Sequence, residues 1–131
     1  MTNFDDSEQG GSALEGLQER AQELGRLVSQ TDEYKALRKA NERLGEDRES
    51  ITLMNRLAEL EAGMTNAMRA GNEPDAETQE EFGRLAEEVQ QRTVYQGVVA
   101  AQTNFERLMG RINEEIGRGI EAGEQSRIIL P

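Results

Sequence analysis

The chain contains no cysteine, no histidine and no tryptophan. Without cysteine it can form no disulfide, no thiolate metal site and no iron–sulfur ligation of its own. Without histidine, imidazole catalysis is excluded, and so is a di-iron bundle built on Glu-x-x-His pairs. Aromatic residues are only 4% of the sequence, and there are 2 prolines. No run of 18 apolar residues occurs, so no segment reads as a membrane span and no membrane insertion is expected. The opening MTNFDDSEQGG is acidic and lacks the apolar core of a secretory signal. The expected compartment is the cytoplasm.

What is present is charge, mostly of one sign. Acidic residues number 26 against 15 basic, a net charge of -11 over 131 residues. Such a field repels phosphate backbones, so direct nucleic-acid binding is not expected. Lysine occurs only at Lys35 and Lys39; arginine carries the rest of the positive charge. Glu80–Arg84, Glu88–Arg92 and Glu114–Arg118 stand at i, i+4, the spacing of solvated ion pairs along a helix, and read as such rather than as catalytic carboxylates. Gly117, Gly119 and Gly123 fall one residue out of step with a dinucleotide fingerprint, and no strand precedes them, so they read as fraying at a helix end. No catalytic residue, cofactor site or metal site is expected.

The apolar residues recur at helical spacing throughout, and no segment alternates with period two. Residues 1–11 read as a disordered tail ending in Gly10-Gly11. Ser12 and Glu15 form a capping box before a helix at about 13–29 with Leu14, Leu17, Ala21, Leu24 and Val28 on one face. Thr31 caps a second helix carrying Tyr34, Leu37, Ala40 and Leu44, with Gly45 as its stop. A third helix starts at Asp47 or Ser50 and ends at Gly71, with Ile51, Met54, Leu57, Ala58, Met64, Ala67 and Met68 on its stripe. Pro74 and Asp75 break the chain before a fourth, with Phe82, Leu85, Ala86 and Val89 inward. Thr93 to Gln96 either begins a fifth helix or bends a continuous one. The fold class is all-α: an antiparallel bundle of four to five helices with a long C-terminal helix, in one domain at 12–123 followed by a C-terminal tail at 124–131.

Residues 93–120 would span roughly 42 Å as a helix. Val98, Phe105 and Ile112 lie on one line, Ala101, Leu108 and Met109 beside it, and Ile116 and Ile120 continue toward the end. The arc is wider than one core-facing seam. It is read as core on one side and homodimer interface on the other, the alternative being core throughout. Met54, Met64, Met68 and Met109 suit either core packing or an adaptable binding surface. The closing Ser126–Pro131, apolar in an otherwise acidic chain, could fold back, dock on a partner or hang free. The residues thus describe a non-enzymatic protein–protein interaction module. The second reading is a prefoldin-like or holdase-type chaperone helper that binds clients through an apolar helical groove.

The order of features resembles the YlbF/YheA-like (YmcA/YlbF) family of small helical bacterial proteins. The segments that carry the likeness are TDEYKALRKANERL, LMNRLAELEAGM, AGNEPDAETQEEFGRL and VYQGVVAAQTNFERLMGRINEEI, within about residues 12–120. The resemblance implies an all-α, commonly dimeric protein without catalytic activity. Some relatives regulate messenger RNA processing through a complex with a membrane-associated ribonuclease, so a ribonuclease-associated complex is the implied partner. Cysteine-held iron–sulfur clusters, connected with such complexes, cannot be carried over to a chain without cysteine.

Overall fold

The computed structural model describes the backbone of residues 2–129 and the side chains of residues 12–125. Five helices follow one another: α1 (Thr2–Ser29), α2 (Asp32–Glu46), α3 (Arg48–Arg69), α4 (Ala76–Gln90) and α5 (Thr93–Ile129). Among the described residues there is no strand. The breaks between helices have local causes. The Thr31 hydroxyl accepts the Tyr34 N–H at 3.2 Å and opens α2. Gly45 lies within α2, one residue before its end; the break falls at Asp47, which ends α2 and begins α3 at once.

The α3–α4 turn is the sharpest reversal. Gly71 sits at φ +79°, where a side chain would be strained. Its N–H reaches the Met68 carbonyl at 3.0 Å, and the Asn72 N–H reaches that of Ala67 at 2.9 Å. These two bonds make a Schellman cap, which satisfies carbonyls that the helix end would otherwise leave open. Asp75 then starts α4, its carbonyl accepting the Gln79 N–H at 3.0 Å. The short loop makes α3 and α4 an antiparallel hairpin.

The chain thus doubles into two bent rods. In one, α2 and α3 meet at Asp47; in the other, α4 and α5 meet at Gln91–Arg92, so Thr93 begins a separate fifth helix. α3 packs along α4 and α2 along α5. Moving away from the Gly71 turn, each step back on one rod is matched by a nearly equal step forward on the other. Arg56 pairs with Glu81, Asp47 with Arg92, and Tyr34 packs on Phe105 with ring centroids 5.9 Å apart.

Among the described residues, the buried apolar side chains are Leu60, Leu85, Val89 and Ala101. The remaining stripe residues of α2 to α5 are mostly half-buried. Two thin rods side by side bury little per residue.

Ser12, read as a helix start, lies inside α1. The side chains of residues 1–11, read as a tail, lie outside the described ones, as do those of Ser126–Pro131. α5 runs 37 residues, through Gly117, Gly119 and Gly123 where the sequence suggests fraying. Each glycine in a helix interior costs about 1 kcal/mol relative to Ala, and α5 continues through all three.

Candidate interaction surface

Two features organise the molecule functionally: a polar latch where the rods bend, and apolar stripes that outrun their cover. The latch is the one buried polar centre among the described residues. Ser50 is fully buried on the first turn of α3. Its hydroxyl donates to Asp47 Oδ2 at 2.8 Å. Arg92 crosses from the other rod, donating through Nε to Ser50 Oγ and through Nη2 to Asp47 Oδ2 at 2.9 Å. Glu49 approaches the same guanidinium at 3.4 Å. Hydrogen bonds from Arg92, and then from Ser50, hold the Asp47 carboxyl below its ordinary range; Asp47 in turn raises Arg92. No buried side-chain nitrogen or oxygen among the described residues is left without a partner.

Arg92 corrects the sequence reading. It does not form a solvated i, i+4 pair with Glu88; it spans the two rods, with its side chain 23% exposed. Arg118 also pairs differently, with Glu115 at i, i+3. A second cross-rod pair stands nearer the turn, where Arg56 Nε and Nη2 donate to the two Glu81 carboxylate oxygens at 2.9 and 3.1 Å. That bidentate contact lowers the Glu81 pKa, with Arg56 as the main cause. These arginines fix the register of the rods. Among the described residues no group of three or more acids is arranged to hold a metal ion.

The apolar stripe of α5 behaves differently along its length. Near its start Val98, Phe105, Leu108, Met109 and Ile112 are half-buried, and Ala101 is buried. Asp32, Glu33 and Ala36, at the start of α2, line a shallow groove with Asn104, Arg107, Leu108 and Arg111. The N-terminal end of α2 therefore lies beside residues 104–111 of α5, and its cover stops there. Ile116 and Ile120 continue the stripe beyond that point and are 48% and 66% exposed. The expected interface set is thus divided: five residues are half-buried within the chain, Phe105 and Leu108 beside α2, and two stand open.

The other open stripe is on α1. Every described residue from Ser12 to Glu23 is exposed, and only Leu24 and Val28, near the turn into α2, are half-buried. Leu14, Leu17 and Leu27 are 55%, 67% and 58% exposed. An amphipathic helix with its leucines in water leaves an apolar stripe uncovered within the chain.

The family model for the control of competence regulator ComK, YlbF/YmcA, matches residues 17–121. The chain belongs to that family. It is a regulatory family, not one known for enzymatic activity. A UPF0342 protein of Lactobacillus delbrueckii subsp. bulgaricus is 27% identical over 112 residues, covering 85% of this chain and 96% of that one. Another UPF0342 protein, from Limosilactobacillus reuteri, is 24% identical over 105 residues, covering 80% and 85%. The fold is shared with Bacillus subtilis RicA, whose crystal structure is of a complex with RicF. The TM-score is 0.73 at 20% identity, over 82% of this chain and 95% of RicA. Among the described residues of the present chain, no helix is long and apolar enough to cross a membrane.

Proposed function

We propose that the protein is a regulatory adaptor that works by protein–protein contact, as a homodimer, and influences RNA processing in the cytoplasm through a ribonuclease-associated partner. One observation carries the reading: apolar stripes on α1 and distal α5 stand open in the single chain, Leu17 and Ile120 at 67% and 66%. A chain this acidic presents those stripes to another protein rather than to nucleic acid. Family membership supports a regulatory role, and RicA, of the same fold, is found in complex with another protein, RicF.

Affinity purification of the full-length protein from its native host tests the proposal. A small recurrent set of partners that includes a ribonuclease-associated protein is expected. At physiological salt the purified protein leaves RNA unshifted in a gel. Micromolar RNA binding would contradict the indirect role. A broad spectrum of captured clients, with suppression of aggregation of unrelated unfolded proteins, would replace the adaptor with a holdase.

A further inference from the structure

Resting on the homodimer reading, we propose that α1 of one copy lies along the distal half of α5 of a second copy, and reciprocally, so that each chain supplies the helix the other lacks. The register of the two rods points to it. Arg56–Glu81, Asp47–Arg92 and Tyr34–Phe105 keep nearly constant antiparallel spacing from the Gly71 turn. Carried onward, that spacing sets Ile116 and Ile120 opposite the part of α1 between Leu17 and Leu24. Within one chain the partner helix is not there. The turn at Gln30–Thr31 ends the rod, and α1 leaves with residues 12–23 exposed. The pattern that would complete the bundle is therefore present in the sequence and absent from the single chain's packing.

Second copies satisfy both open stripes at once. The interface is self-complementary, α1 on α5 and α5 on α1, as a two-fold axis requires. The areas agree. Leu14, Leu17, Leu27, Ile116 and Ile120 are exposed by 55%, 67%, 58%, 48% and 66%. Taking about 190 Å² per residue, these five expose on the order of 550 Å² per chain, so reciprocal pairing removes on the order of 1,100 Å², within reach of a specific interface. Another protein offering a single helix would cover one stripe and leave the other in water.

The absence of cysteine gives a clean test. Full-length Leu17→Cys with a mass tag is mixed with untagged Ile120→Cys, re-equilibrated, and treated with a short bismaleimide. Both sites are open, so both variants fold, as circular dichroism will verify. A cross-linked product of mixed mass is expected, several-fold above that from either variant alone. If the protein sediments as a dimer and the mixed product does not form, this pairing is wrong while the homodimer stands. If it is a monomer at about 100 µM, both fall. If the double variant Leu17→Cys/Ile120→Cys cross-links only within one chain, α1 closes on its own α5 and the exchange is overturned.

Discussion

The half of the molecule near the Gly71 turn and the half beyond Phe105 are written in the same alphabet and end in different states. Near the turn, α3 and α4 bury Leu60, Leu85 and Val89 between them and are pinned by Arg56–Glu81. At the far end, Leu14, Leu17, Ile116 and Ile120 have the same helical spacing and stand exposed. Helical periodicity says that a face is apolar. What covers the face depends on where the helices break, and here Thr31 and Asp47 decide it. The comparison teaches that in a thin bundle an apolar stripe is a request for a neighbour, answered inside the chain at one end only.

The largest effect should come from the covered end. Leu85→Ala removes a side chain that is 9% exposed and should cost about 2–4 kcal/mol in urea unfolding. The same change at Leu17, measured at a dilution where the protein is monomeric, should cost within about 0.5 kcal/mol. Equal costs at both sites would erase the contrast.

Next comes the latch. Arg92→Ala takes away the donor to the buried Ser50 oxygen, which keeps only its own bond to Asp47, and removes the Asp47 ion pair, so the melting temperature should fall by more than after Arg56→Ala. The order follows from exposure: the Arg56 side chain is 48% exposed and that of Arg92 23%. Rising salt should weaken the Arg56 contribution further. The reverse order would mean that the bend is not the pinned point.

Acid should probe the same groups. Asp47 and Glu81 both titrate below their ordinary values in the folded chain. Their stabilising contribution is complete above the unfolded values of 3.8 and 4.5, and is lost as pH falls through the lower folded ones. Thermal melts of the wild type and Asp47→Asn should therefore differ most above that window and converge beneath it. A difference independent of pH would remove the carboxylate from the explanation.

Glycine gives the smallest effect, with the opposite sign. A Cβ at Gly83 would meet nothing within 4 Å. Gly83→Ala should stabilise by about 0.5–1 kcal/mol, since Gly costs that much in a helix interior. Destabilisation would show that another chain approaches α4 there.

Much of the fold was legible because its signals are local. Thr31 as a cap, Gly71 as a stop, Asp75 as a start and the absence of alternation are each properties of a few adjacent residues. The latch was not legible, because Arg92 has a nearer acid at Glu88 and sequence proximity favours the wrong pair. The clue was positional: Arg92 directly precedes the start of α5 at Thr93, Asp47 sits at the other break, and both breaks lie at similar distances from the Gly71 turn. The stripe from Val98 to Ile120 was readable as apolar, but its division was not. Where α2 ends along α5 follows from tertiary register, which no short stretch encodes.

The central claim is that the far half is completed by another copy of the chain through the end of α5. Sedimentation equilibrium at about 100 µM, on the wild type and on Ile116→Asp and Ile120→Asp, tests it most directly. Both positions are open enough that an added carboxylate leaves the chain folded. The account predicts a wild-type dimer that each substitution weakens toward monomer while circular dichroism stays helical. A wild-type monomer, or a dimer indifferent to both changes, would contradict it.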